Sequence, residues 1–258
     1  MVYSEKNEGP GMARQKVFDT TQCDYIMFMD SDDMLMPRAV EVLYNGAKKE
    51  QYDVLRSSFI REDKVQSTII PQNVPTITWF HGKIYRTRYI KEKGLRFHPQ
   101  LRTEEDAYFN ILCWNAAKKR GETAEVTYLW RDNKNSITRA EPNSVYFSKT
   151  YLNYIFSQTE ALKMMPSVLE QMTGPLIGQT LVNLYNHYQT AVYYKLSLTK
   201  MDEMISNLKN YEWMKTFVAT EQNWIDALNY VKAGVVYENK KAYYYEEPFD
   251  KWAKRLLT

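Results

Sequence analysis

Three aspartates fall within four positions, Asp30, Asp32 and Asp33, at the end of the apolar run "YIMFMDSDDMLMP" over residues 25–37. Like charges this close repel one another, so a buried strand does not gather them without a use. A capping role for Asp32 or Asp33, before a helix expected near Pro37, explains one aspartate and not three. A calcium loop places Asp30, Asp32 and Glu41 at positions 1, 3 and 12. It then meets Met34 and Leu35 where a ligand and a glycine are needed, and fails. A site for a hard divalent cation is a further reading. Mg2+ or Mn2+ takes oxygen ligands and bridges carboxylates to substrate phosphates. A strand ending in acids at the carboxyl edge of an α/β sheet delivers them to the crevice where ligands sit.

The elements that must position these acids follow from hydrophobic periodicity. "DYIMFMD" reads as a buried strand, and "PRAVEVLYNGAKK" as a helix with Val40, Leu43, Tyr44 and Ala47 on one face. "YDVLRSSFI" and "EVTYLWR" read as strands, "TWFHGKIYRTRYI" as one or two more, and "EEDAYFNILCWNAAKK" as a helix carrying Phe109, Leu112 and Ala116. Strands alternating with helices predict an α/β architecture. After about Pro142 the pattern turns helical. Leu152, Ile155, Phe156 and Leu162 form one stripe, and Ile177, Leu181, Leu184 and Tyr188 another. Ser144 is a candidate cap, "SVLE" at 167–170 has capping-box spacing, and "TKMDEMISNLKNYEWM" starts a further helix. The expected division is 1–140 and 141–258.

Bulk properties exclude several classes. The net charge of +3 across 258 residues is too mild for a nucleic-acid binder. The two cysteines, Cys23 and Cys113, form no metal-like spacing and suit a reducing compartment. The start, "MVYSEKNEGPG", has no secretory signal pattern. Residues 171–194 carry no formal charge, but Gln179, Asn183, Asn186, His187 and Gln189 argue for a soluble helix over a membrane span. The expectation is a cytoplasmic protein without a transmembrane segment.

Two resemblances bear on the aspartates. An aspartyl phosphatase of the haloacid dehalogenase type has a similar strand followed by D-x-D, with Asp30 as nucleophile and Asp32 as acid/base. Met34 stands where that family carries Thr or Val, and its later acidic pair finds only "LRTEED" after a polar segment. The fuller resemblance covers residues 3–140. "NEGPGMARQ", with Asn7, Gly9, Gly11, Ala13 and Arg14, precedes the aspartates; "HGKIYRTRYI", "GLRFHPQLRTEEDAYF" and "YLWRDNKNSIT" follow. In this order the set resembles family 2 glycosyltransferases of the GT-A fold. That resemblance implies a partial GT-A domain, a Rossmann-like mixed sheet flanked by helices, followed by an α-helical C-terminal region.

It further implies metal-dependent, inverting transfer of a sugar from a nucleoside diphosphate, UDP in the first instance, to a hydroxyl of a saccharide or polymer. Asp32 would be the main metal ligand, with Asp30 near the ribose or a metal-bound water and Asp33 supporting the loop. Asn7, Gly9 and Arg14 would lie near the nucleotide. Asp106 would be the general base, oriented by Glu105. "TEED" also reads as an acidic helix start capped by Thr103, and the two readings are compatible. His81 could touch metal, phosphate or acceptor, or serve as a structural hydrogen-bonder. The basic run of Lys83, Arg86, Arg88, Lys91, Lys93, Arg96 and Arg102 would neutralise a diphosphate or line a solvated face.

Family members also carry two earlier strands that hold the nucleotide, and this sequence enters at the third. A truncated product, a second polypeptide or homo-oligomer supplying the strands, and a non-catalytic binding or assembly protein on a remnant fold are the corresponding expectations.

Overall fold

The computed structural model describes residues 7–63, 68–72, 77–133, 143–233, 237–238, 241–242 and 247–258. The chain divides into two compact units, residues 1–140 and 141–258.

The first unit begins with helix α1, Pro10–Thr20. Gly9 caps it at φ 87° and Pro10 opens it, a residue suited to the first turn because its missing N–H would have no partner there. Strand β1 (Tyr25–Met27) leads into the aspartates, and β2 (Met34–Leu35) leaves them. Helix α2 (Ala39–Glu50) follows, then β3 (Val54–Asp63), β4 (Thr68–Gln72) and β5 (Lys83–Arg86). Helices α3 (Thr87–Glu92) and α4 (Glu105–Ala116) precede the long β6 (Arg120–Trp130).

The sheet order is β1-β5-β3-β6-β2, with β4 also on β3. β3 and β6 pair in parallel, and β5 runs antiparallel to both β1 and β3. Strands β1, β3 and β6 therefore share a direction, and their carboxyl ends collect at one edge. Phe28, just past β1, packs on Phe80, Tyr85, Phe97 and Phe109, and Phe97 stacks on Phe109 at 4.2 Å. Phe28 ties this aromatic core to the chain two residues before Asp30.

Several expectations are corrected by the packing. "TRYI" is not strand: after Arg86 the chain turns into α3, burying Thr87, Tyr89 and Ile90, with the Tyr89 hydroxyl donating to the Cys113 carbonyl at 2.8 Å. On α2 the buried face is Ala39, Leu43 and Ala47, and Val40 is 58% exposed. Neither Asp32 nor Asp33 caps that helix; its N-cap is Arg38. Thr103 does not cap α4, whose N-cap is Glu104 in the left-handed region at φ 62°.

The second unit holds α5 (Asn143–Val168), α6 (Gly174–Tyr193), α7 (Thr199–Ser206), α8 (Glu212–Val218) and α9 (Glu221–Ala233). A two-strand ladder, Tyr237–Glu238 with Lys241–Ala242, and α10 (Phe249–Leu257) complete it. The stripe Ile177, Leu181, Leu184 and Tyr188 is buried as its spacing predicts. On α5, Ile155 and Leu162 are buried, whereas Leu152 and Phe156 are half-buried. "SVLE" starts no helix: α5 runs through Ser167, whose hydroxyl donates to the Met164 carbonyl. The side chain of Ser144 lies outside the described residues, as does the "SIT" of 136–138. No helix among the described residues is long and apolar enough to cross a membrane. Cys23 is exposed, Cys113 buried, and both are free.

Candidate active site

The aspartates form a tight turn. The Asp33 N–H donates to the Asp30 carbonyl at 3.1 Å, closing residues 30–33. Tyr128, fully buried on β6, pins that turn. Its hydroxyl accepts from the Asp30 N–H at 3.3 Å and donates to Asp33 Oδ2 at 2.6 Å. The Arg131 N–H donates to Asp33 Oδ1 at 2.9 Å. Asp32 turns elsewhere and accepts from Asn133 Nδ2 at 3.0 Å. Three adjacent carboxylates are thus tolerated because each has its own partner.

Arg14 supplies the partner of Asp30 and links it to a second element. Its guanidinium bonds Asp30 Oδ1 at 2.5 Å and Glu105 Oε1 at 2.7 Å, and lies 4.8 Å over the Phe80 ring. Helix α1 comes close to α4 because Gly11 has no side chain: a Cβ there would meet the Glu105 Cγ at 3.0 Å. Arg14 is therefore a bridge between the aspartate turn and the start of α4.

The start of α4 is strongly acidic. Burial, with Glu105 and Glu104 beside it, pushes the Asp106 carboxyl up to about 8, and its Oδ1 accepts from the Ala107 N–H at 2.8 Å. Burial also raises Glu104, to about 7, and Glu105, where Arg14 opposes the rise. Asp33 is raised by burial too, against the lowering by Tyr128 and Arg131.

His81 completes the edge. Its ring stacks on Tyr128 at 4.7 Å, and its Nε2 lies 3.9 Å from Asp33 Oδ2. Gly82 allows this path: it sits at φ 63°, and a Cβ there would come within 2.3 Å of Ser57 Oγ. Asp30, Asp33 and His81 offer one ligand atom each within 4.8 Å of one another. Two carboxylates and an imidazole fit a divalent cation such as Mn2+ better than the all-oxygen preference of Mg2+. The raised Asp33 carboxyl, crowded by Asp30 and Asp32, is a group that a cation would stabilise as its anion.

The predicted residues thus separate into two sets. Arg14, Asp30, Asp33, His81, Glu105 and Asp106 occupy the aspartate edge and the helix start tied to it. Asp32, expected as the main metal ligand, stands outside the three-residue group. Arg14 engages carboxylates, where a place near the nucleotide was expected. Asn7 and Gly9 form a local turn, Gly9 N–H to Asn7 Oδ1 at 3.0 Å, against Arg102. Lys83 is corrected outright. It is 2% exposed, its ammonium donates to the carbonyls of Ile77 and Trp79, and burial lowers it to about 7. Four others of the basic run have partners within the protein: Arg86 with Asp53, Arg88 with Glu92, Arg96 with Asp19, and Lys91 with the Thr21 carbonyl. Sequence reading missed Tyr128, Asn133 and Glu104. Tyr128 was read as part of a strand and of the "YLWRDNKNSIT" segment, and nothing in its spacing assigns the hydroxyl its partners.

Comparison with known proteins bears on the family and the fold. The family model described as glycosyl transferase family 2 matches residues 1–109. The uncharacterized glycosyltransferase EpsJ of Bacillus subtilis is 24% identical over 158 residues, covering 53% of this chain and 46% of that protein. The poly(ribitol-phosphate) beta-glucosyltransferase of Bacillus spizizenii is 24% identical over 154 residues, 54% of this chain and 24% of that one. The chain spans under half the length of these relatives. The crystal structure of S. aureus TarS 1-349 with UDP-GlcNAc matches at a TM-score of 0.57, with 15% identity over 88% of this chain and 68% of that chain. The corresponding UDP complex matches at 0.55, with 15% identity over 80% and 61%. These likenesses establish the fold: a mixed sheet flanked by helices of the GT-A type, with a helical C-terminal region.

Proposed function

We propose, from the match of residues 1–109 to the glycosyl transferase family 2 model, that the first unit transfers a sugar, with inversion, from a UDP-sugar to a hydroxyl of a saccharide or polymer acceptor. The observation that carries this reading is the Arg14 bridge. It joins the Asp30 turn, where a donor diphosphate and its cation would sit, to the helix start that holds Asp106. The UDP and UDP-GlcNAc complexes of the TarS neighbours favour UDP as the donor's nucleotide.

Asp30, Asp33 and His81 would hold the cation, which when bound supplies Lewis-acid stabilisation of the departing diphosphate. The chain's own residues do the rest. Asp106, in its ionised form, takes the proton of the acceptor hydroxyl as that oxygen attacks the anomeric carbon from the face opposite the leaving group. Its raised affinity for a proton makes it a stronger base than an exposed aspartate. Glu105, held by Arg14, keeps the helix start in register with the donor edge. Tyr128 holds the turn that carries Asp30 and Asp33.

UDP release from UDP-GlcNAc, or from UDP-glucose, in the presence of Mn2+ and a poly(ribitol-phosphate) or saccharide acceptor tests the reading. Asp106→Asn is expected to lower turnover about 1,000-fold, within the range that a general base contributes. UDP binding should be retained. Turnover equal to wild type in Asp106→Asn would refute the assignment.

A further inference from the structure

We propose that Asn110 is a positioning residue for this transfer, locking the turn that carries Asp106 to the 78–85 segment that carries His81; the proposal rests on the glycosyltransfer reading above. Asn110 lies in the middle of α4, within "AYFNILCWNA", and is 2% exposed. A helix needs no amide at such a position, and an apolar residue would avoid the cost of desolvating one. The amide is nevertheless fully used. Nδ2 donates to the carbonyls of Thr78 and Asp106, both at 2.9 Å. Oδ1 accepts from the Tyr85 hydroxyl at 2.5 Å and from Lys83 Nζ at 3.2 Å. The two carbonyls need donors and the ammonium needs an acceptor, so the reversed amide would leave like against like.

The partners show what the hub joins. Asp106 belongs to the first turn of α4. Thr78 and Lys83 lie on either side of His81, and Lys83 gathers the carbonyls of Ile77 and Trp79 with its remaining donors. One side chain and the ammonium it holds therefore fix the loop bearing the imidazole against the helix turn bearing the carboxylate. Neither Asn110 nor Lys83 needs to meet the substrate. Small errors in the placement of reacting groups cost up to about 100-fold in rate, so the effect belongs on turnover and not on donor affinity.

The test uses the full chain with Mn2+, UDP-sugar and acceptor. Asn110→Asp keeps both acceptor bonds and removes both donations. The expected result is a kcat lowered about 10- to 100-fold per folded molecule, with the donor KM within about 2-fold of wild type. A wild-type kcat in folded Asn110→Asp, or a loss expressed entirely in KM, would overturn the proposal. Tyr85→Phe removes one hydroxyl from the hub without opening a cavity, and applies if Asn110→Asp does not fold. About a 3-fold fall in kcat at constant KM is expected there, and an unchanged kcat would overturn the proposal equally. Failure of the parent reading looks different. A wild-type chain with no turnover, matched by Asp106→Asn, removes both claims, whereas an inactive Asp106→Asn beside a fully active Asn110→Asp removes this one.

Discussion

The two units bury different kinds of polar group. Among the described residues, every buried charged side chain lies in the first unit: Asp33, Asp53, Lys83 and Glu105. The buried polar residues of the second unit are neutral: Ser157, Gln158, Thr159, Thr180 and Gln189. Its charged hub, Arg255 with Glu247, Asp202 and the Tyr188 hydroxyl, stays partly exposed. His187, enclosed and stacked on Tyr154 at 3.8 Å, is held neutral, lowered to about 3. Burying a charge is expensive unless something pairs it. The first unit accepts that cost at Asp33, Lys83 and Glu105 around one sheet edge and one helix start, as sites that do chemistry do, and at Asp53 before β3, where Arg86 and the N–H groups of Lys118 and Lys119 pair it. The second unit is built by aromatic packing around Tyr185, Tyr188, Phe249 and Trp252.

That contrast can be broken from either side. Trp252 is fully buried, and Trp252→Ala should cost about 3–5 kcal/mol of stability by thermal or denaturant unfolding. The kcat per folded molecule should stay unchanged, and a catalytic loss beyond the loss of fold would show that the second unit takes part in the chemistry. In the first unit, Asp30→Asn should weaken Mn2+ affinity in the presence of UDP by about 10- to 100-fold, measured by titration calorimetry. Its stability should change far less than that of Trp252→Ala.

The pH dependence sharpens the comparison further. Asp106 is raised to about 8, so it holds its proton at neutral pH and becomes a base as pH rises through that value. The turnover profile should show an ascending limb near pH 8. The Glu104 charge contributes to that rise, so Glu104→Gln should move the limb to lower pH. Stability carries the opposite sign. Glu104 and Asp106 bind protons in the folded state that the unfolded chain has released above about pH 4. Their contribution to stability is therefore present at acid pH and is lost as pH rises through about 7–8. Glu104→Gln should flatten that fall, measured as unfolding free energy against pH. No comparable slope should arise from the second unit in this range, because His187 remains neutral throughout it.

Much of the layout was legible in the residues. The aspartate turn after an apolar strand, the acidic start of a helix 70 residues on, and the switch to helices near residue 140 are all patterns of type and spacing. What was not legible is which polar groups face one another. Lys83 looked like a phosphate ligand because it heads a basic run; only the packing of β5 against α4 shows that strand alternation sends it inward. Asn110 interrupted an apolar helix, which was a signal, but its partners come from three separate stretches. Tyr128 and Arg14 carry the same lesson. Their roles depend on pairings 16 to 98 residues apart, which periodicity does not encode.

Thermal unfolding of wild type, Asp30→Ala and Asp106→Asn, each with Mn2+, UDP and both together, tests the account most directly. The account predicts a stabilisation of wild type that needs both ligands, about 2.7 kcal/mol at a hundred times the dissociation constant. It should vanish in Asp30→Ala and persist in Asp106→Asn, because the first residue holds the donor and the second acts on the acceptor. The same shift in Asp30→Ala as in wild type, or its disappearance in Asp106→Asn, would contradict that division of labour.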